Sequence, residues 1–142
     1  MEIMSLRKLP VGVQDFASLR EDGYLYVDKT ASIYRLAVGG TQVFLSRPRR
    51  FGKSLLLSTF KAYFQGRKDL FEGLAIEKLE QEWIDYPVLH LSLNAQYYEN
   101  KRSLEQVFDA HFLEWEKLYG TTPEELGYAG RFMQIIRQAH VK

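Results

Sequence analysis

The chain has 142 residues, of which 46% are apolar and 14% aromatic, enough for the core of one folded domain and too many for a disordered chain. Nineteen basic residues against eighteen acidic ones leave a net charge of +1, which excludes a protein drawn as a whole to nucleic acid or to an anionic membrane. Cysteine is absent, which excludes disulfides, thiolate metal sites and thiol nucleophiles.

The sequence shows neither a membrane span nor a secretory signal. No apolar run approaches the roughly 18 residues that a membrane-spanning helix needs. The first ten residues lack the apolar core of a signal peptide. We therefore expect a cytoplasmic protein without a membrane partner.

Two strands and a helix are predicted ahead of a basic loop. Residues 24–27 have the aromatic and β-branched content of a short strand, and Asp28 stands where an N-cap residue would begin a helix over 29–37. A Gly-Gly pair ends that helix. Residues 42–46 are short, apolar and followed by a turn-prone stretch, which predicts a buried strand. A role for Asp28 beyond capping stays open.

The stretch directly after this strand carries the strongest chemical signal. Residues 47–54 read Arg-Pro-Arg-Arg-Phe-Gly-Lys-Ser. The last three match the P-loop pattern, which is Gly, four free positions, then Gly-Lys-Ser or Gly-Lys-Thr. Arg47 replaces the first glycine. Apolar residues then recur at helical spacing from Ser54 to Gly66, so the order strand, loop, helix is that of a phosphate-binding loop.

A helix that begins at this loop directs unpaired backbone N–H groups and the positive end of its dipole at a phosphate. The predicted cofactor-binding residues are Arg50, Phe51, Gly52, Lys53, Ser54 and Leu55. In this set the Lys53 ammonium reaches the β- and γ-phosphates of ATP, and the Ser54 hydroxyl binds Mg²⁺. The predicted catalytic residues are Lys53, Arg49 and Arg50, because guanidinium groups form charge-assisted hydrogen bonds to a transferring phosphoryl group.

One more strand and a long helix are predicted in the second half of the chain. Residues 88–93 form an apolar run after Pro87, which predicts a strand. Ser103 with Gln106 makes a capping box for a helix that ends near Tyr119.

The last predicted helix begins at Thr122 and Pro123, or at Arg131 if the intervening glycines delay its regular part. With the earlier segments this gives strands that alternate with helices. The sequence therefore predicts an α/β fold, P-loop NTPase-like, with a mostly parallel sheet flanked by helices.

At the basic loop the sequence resembles a known family, the AAA-ATPase-like P-loop proteins of bacteria and archaea, whose longer members end in a PD-(D/E)XK nuclease-like domain. In that family the loop typically has this form and is followed by a leucine-rich helix. Further matching stretches are residues 9–12, 15–16, 26–30 and 86–91. The resemblance implies that residues 1–142 are the N-terminal part of an ATP-binding P-loop domain, which hydrolyses ATP when intact.

Hydrolysis also needs an acidic residue to position Mg²⁺ and water, usually at the end of a second buried strand. The strand predicted at 88–93 ends in Asn94, so the strand that follows the loop does not end in Asp or Glu. The resemblance places the acidic strand just beyond Lys142, so we expect a domain that is incomplete at its C-terminal end. An unpaired sheet edge would then favour a homo-oligomer.

Three alternatives stay open for the loop. A non-hydrolysing nucleotide-binding regulatory module differs from an ATPase only in turnover. In the second, Arg47, Arg49 and Arg50 contact the phosphate backbone of nucleic acid, which is not favoured at a net charge of +1 with Phe51 as the interleaved aromatic. In the third, the loop is a relic within a structural piece of a larger assembly, and replacing Lys53 changes nothing.

Overall fold

The computed structural model describes residues 7–40, 42–93, 101–122 and 126–141. The α-helices in these ranges are α1 (Phe16–Glu21), α2 (Thr30–Gly39), α3 (Lys53–Phe64), α4 (Lys101–Tyr119) and α5 (Tyr128–Val141). Two short 3₁₀ helices follow α3, at Lys68–Phe71 and Ala75–Lys78. The chain divides into two compact units, Met1–Val88 and Leu89–Lys142. No described helix is long and apolar enough to cross a membrane.

The predicted α/β fold with a mostly parallel sheet is wrong, because the described ranges contain no sheet. The stretches 24–27, 42–46 and 88–93 lie outside any strand, and one isolated antiparallel bridge joins Gln65 to Asp85. A strand is stable only when a neighbouring strand pairs with its backbone N–H and C=O groups. Apolar composition alone does not supply that neighbour. The apolar side chains of 42–46 are accordingly exposed instead of buried.

The predicted helices are present, but their boundaries differ from the predicted ones. Helix α2 confirms the helix predicted over 29–37, and α3 confirms the helix predicted to follow the basic loop. Helix α4 begins two residues before Ser103, so the predicted capping box is wrong and Ser103 lies inside the helix. Helix α5 begins at Tyr128, between the two predicted starts; Pro123 lies outside the described residues. Helix α1 and the 3₁₀ helices were not predicted.

The first unit packs α1, α3 and the two 3₁₀ helices around a small apolar core. Asp15 begins α1 because its carboxylate accepts the Ser18 N–H at 2.9 Å, which satisfies an otherwise unpaired donor. The ring centre of Phe16 then lies 4.8 Å from that of Phe71. The buried residues of this core are Phe16, Ala62, Leu70, Phe71, Leu74 and Ile76.

Helix α3 ends in a glycine turn. The Arg67 N–H donates to the Ala62 carbonyl at 3.1 Å and the Gly66 N–H to the Tyr63 carbonyl at 3.0 Å, the two bonds of a Schellman motif. Gly66 has a φ of +63°, a left-handed conformation that favours glycine. A Cβ at this position would lie 2.7 Å from the Trp83 carbonyl oxygen, so the close approach also requires glycine.

The second unit pairs α4 with α5. Arg131 of α5 donates two hydrogen bonds to Glu116, at 2.9 and 3.0 Å, and one to Asp109 at 2.7 Å. Its guanidinium carbon also lies 5.2 Å from the centre of the Phe112 ring. The buried residues beside this network are Phe112, Trp115 and Ile135.

Candidate functional site

Helix α3 follows the basic loop, as predicted, but the strand predicted before the loop is missing from the described residues. Gly52 precedes the helix with φ 74° and ψ 22°, and its carbonyl accepts the Leu56 N–H at 2.9 Å. No side chain caps this end of the helix. The N–H groups of Lys53, Ser54 and Leu55 belong to the first turn, where no intrahelical acceptor is available. These donors and the helix dipole together favour an anion at this point.

The Lys53 side chain folds back over the loop. Its ammonium donates to the Arg47 carbonyl at 2.8 Å, which joins the first residue of the loop to the first residue of the helix. Both side chains are exposed. The bond gives the loop a closed shape and holds the ammonium against the Arg47 backbone.

Two residues of the loop have left-handed backbone conformations. Arg50 has a φ of +66° and Gly52 a φ of +74°. A left-handed conformation costs a non-glycine residue roughly 1–2 kcal/mol. Turns that contain such residues direct successive backbone N–H groups into one concavity, which suits phosphate. The loop therefore departs from an unstrained chain at the place where the sequence predicts anion binding.

The first unit holds α3 in place through the polar side chains of its middle turn. The Phe16 N–H donates to the Ser58 hydroxyl oxygen at 2.9 Å, and the Ser58 hydroxyl donates to the Leu55 carbonyl at 2.9 Å. Thr59 is 1% exposed and donates to the same carbonyl at 2.7 Å. The helix end of the loop is thus fixed by the core, since Leu55 also packs against it.

The predicted site residues occupy one exposed loop and one helical turn. The exposed ones are Arg49, Arg50, Phe51, Gly52, Lys53 and Ser54, and Leu55 is half-buried. The structure brings the backbone groups of Gly52 to Leu55 together. Neither Arg49 nor Arg50 forms an ion pair with a carboxylate of the described residues. In the same ranges no group of three or more His, Asp or Glu side chains could hold a metal ion.

A second polar cluster of the first unit centres on Asp28. Its carboxylate accepts the Thr30 N–H at 2.8 Å, the Thr30 hydroxyl at 2.6 Å and, with its other oxygen, the Ala75 N–H at 2.7 Å. Burial alone would raise the pKa of Asp28, but these hydrogen bonds hold that pKa below its ordinary value. The prediction of Asp28 as the N-cap residue of α2 is wrong, because Lys29 occupies that position and its side chain makes no cap hydrogen bond; Asp28 lies one position earlier and accepts the Thr30 N–H. The bond to Ala75 was not predictable from local sequence.

The second unit contains an apolar groove of about 480 Å³. Leucine and aromatic side chains form its walls, among them Leu89, Phe108 and Phe132. The charged residues on its rim, Lys101 and Glu105, pair with each other at 3.6 Å. The groove offers a ligand apolar contact but no converging polar groups, so the loop of the first unit is the stronger candidate site.

Sequence comparison identifies the family of the chain. The family described as predicted AAA-ATPase matches residues 10–142. The chain belongs to this family. This AAA-ATPase-family chain is also 41% identical over 138 residues to an uncharacterised protein in the vnfD 5′ region of Azotobacter chroococcum mcd 1. The alignment covers 96% of the chain and 27% of that relative, so the chain spans about a quarter of the relative's length. No solved structure matches the chain.

Proposed function

We propose that this AAA-ATPase-family chain binds ATP through residues 47–54, a modified Walker A loop. The observation that carries the proposal is the first turn of α3, which no side chain caps, together with the bond from the Lys53 ammonium to the Arg47 carbonyl across the loop. Backbone N–H groups would bind the phosphate oxygens, and Lys53 would neutralise part of their charge. Membership of a family described as predicted AAA-ATPase supports a nucleotide as the anion.

The loop residues fit a phosphate chain in charge and in access. Four basic side chains lie within seven positions, Arg47, Arg49, Arg50 and Lys53, and each of them is exposed. Gly52 carries no side chain, and the space in which a Cβ would stand is open. A phosphate group can therefore approach the backbone at Gly52 without displacing protein atoms.

Mg²⁺ is the proposed metal, with the Ser54 hydroxyl as its protein ligand. Mg²⁺ commonly keeps several water ligands and takes others from substrate phosphates, so a single hydroxyl at the loop is compatible with its chemistry. The ion would offset charge on the phosphates when bound. Ser54 is exposed and lies next to Lys53, which places its hydroxyl at the same turn as the proposed phosphate contacts.

Arg49 and Arg50 are the residues of this chain proposed to stabilise charge on a transferring phosphoryl group. Guanidinium groups bind phosphate oxygens in pairs, and both side chains are free of carboxylate partners within the described ranges. We propose that this chain binds a nucleotide. Hydrolysis is proposed for an intact domain that supplies an acidic residue beside the loop.

Calorimetric titration with Mg-ATP tests the proposal. Lys53→Ala is expected to weaken binding about ten- to hundredfold, because a hydrogen bond to a charged group contributes roughly 1.5–3 kcal/mol. Lys61→Ala is the matched control, since Lys61 is an exposed lysine of the same helix near its opposite end. Equal affinity of both variants and the unchanged chain would reject the loop as the site.

Phosphate release from ATP separates the remaining alternatives. Saturable binding without release identifies a regulatory nucleotide-binding module, and release that Lys53→Ala abolishes identifies an ATPase. A folded chain that binds no Mg-ATP indicates that the site needs a further strand or that the loop binds another anion. A Lys53→Ala variant that changes nothing measurable supports the relic interpretation of the loop.

A further inference from the structure

Charge is divided unevenly along the chain. Residues 29–68 contain nine of the 19 basic residues and none of the 18 acidic ones, a net charge of +9. The remaining residues hold ten basic and eighteen acidic side chains, a net charge of −8. A total of +1 therefore conceals a strongly basic segment. Its basic residues are Lys29, Arg35, Arg47, Arg49, Arg50, Lys53, Lys61, Arg67 and Lys68.

The structure leaves most of this charge available at the surface. All nine residues are exposed. Arg67 is the member that pairs with carboxylates of the described ranges, Glu21 at 3.1 Å and Asp69 at 2.8 Å. The other eight have no carboxylate of those ranges within 4 Å. Unpaired, solvated cations at this density attract a polyanion.

We propose that the basic loop of this segment, Arg47 to Phe51, is a docking surface for single-stranded nucleic acid. Arginine guanidinium groups match the geometry of phosphate oxygens, and three of them lie within four residues. Phe51 follows Arg50 and is 61% exposed, so its ring offers a face on which a base can stack. An anionic membrane favours basic residues along an amphipathic helix instead, and this loop is not helical.

This surface shares the loop with the proposed nucleotide site, and the two proposals differ in their dependence on Lys53. Nucleotide binding depends on Lys53 and on the first turn of α3, whereas the nucleic-acid surface depends on the side chains of Arg47, Arg49 and Arg50. The Lys53 ammonium is engaged by a backbone carbonyl within the loop. Lys53→Ala is therefore expected to weaken Mg-ATP binding about ten- to hundredfold and to leave nucleic-acid affinity within about threefold.

Fluorescence anisotropy with a labelled oligothymidylate of about 20 nucleotides tests the surface, a length above the roughly 4–16 nucleotides of one binding fold. Each phosphate contact contributes about 0.7 to the slope of log affinity against log salt. Three arginine contacts give a slope of about 2, which is an approximately twentyfold loss of affinity between 50 and 200 mM salt.

The double variant Arg47→Ala, Arg49→Ala should lower that slope by about 1.4. The matched control Arg102→Ala, Arg137→Ala removes the same charge from exposed positions of the second unit and should leave the slope unchanged. Equal losses in both double variants would overturn the proposal, and so would equally tight capture by phosphatidylserine vesicles. Failure of the unchanged chain to bind the oligonucleotide would also overturn the proposal. If that chain still binds Mg-ATP, the nucleotide proposal stands.

Discussion

Replacing Gly66 by alanine tests the packing that ends helix α3. The added Cβ would meet the Trp83 carbonyl oxygen at 2.7 Å and the Asp85 N–H nitrogen at 3.3 Å. Both atoms belong to the backbone, so neither can rotate away as a flexible side chain would. Gly66 also has a φ of +63°, which alanine adopts with strain.

Two costs add to give the expected size of the effect. The left-handed conformation costs alanine about 1–2 kcal/mol, and overpacking costs a further 1–3 kcal/mol or so. We expect Gly66→Ala to lower the free energy of unfolding by about 2–5 kcal/mol. Gly73→Ala is the control, because Gly73 has a similar φ of +75° but nothing within 4 Å of the added Cβ. It should cost about 1–2 kcal/mol.

Urea denaturation followed by tryptophan fluorescence measures both costs. The chain has two tryptophans, Trp83 in the first unit and Trp115 in the second. A Trp115→Phe background keeps the aromatic cluster of the second unit filled and makes Trp83 the reporter for the first. If Gly66→Ala and Gly73→Ala cost the same, the close approach to the Trp83 carbonyl is refuted.

Asp28→Asn should destabilise the first unit by about 1 kcal/mol at neutral pH, because an amide cannot accept all three hydrogen bonds. Since the folded state lowers the pKa of Asp28, the stability that Asp28 contributes is present above about pH 4 and is lost below it. The urea midpoints of the unchanged chain and of Asp28→Asn should therefore converge in acid. Ser58→Ala should cost about 1–2 kcal/mol by leaving the Phe16 N–H without an acceptor, whereas Ser32→Ala on the surface of α2 should cost little. Arg131→Met should cost about 2–4 kcal/mol in the second unit, measured by thermal circular dichroism, and a smaller loss when Glu116→Gln is added would attribute it to the unpaired carboxylate.

The helices were predictable because their signals are local. Apolar residues at helical spacing after Gly52 predict α3, whereas α2 is predicted from a cap residue and a Gly-Gly stop, and α4 from a capping box. Helix α1 was missed because it has six residues, too few for a periodic pattern. Its one local signal is Asp15, an N-cap residue type three positions before Ser18.

The absence of a sheet from the described ranges and the full role of Asp28 were not predictable, because both depend on residues that are distant in sequence. A run such as 42–46 has strand composition, but its pairing depends on a partner that composition does not identify. The bond from Ala75 to Asp28 spans 47 positions. The loop was predictable in part. The Gly-Lys-Ser pattern located it, but the left-handed conformation of Arg50 and the bond from Lys53 to Arg47 are visible only in the structure.

The bond between Lys53 and Arg47 has a consequence for how many ligand atoms Lys53 can hold. An ammonium group has three N–H donors, and the Arg47 carbonyl takes one of them. Two donors therefore remain for oxygens of a bound anion while the loop stays closed. Glutamine at position 53 has two donors and no charge, so it can satisfy the carbonyl and leave one neutral donor for the ligand. Lys53→Gln thus separates loop closure from charge in a way that Lys53→Ala cannot.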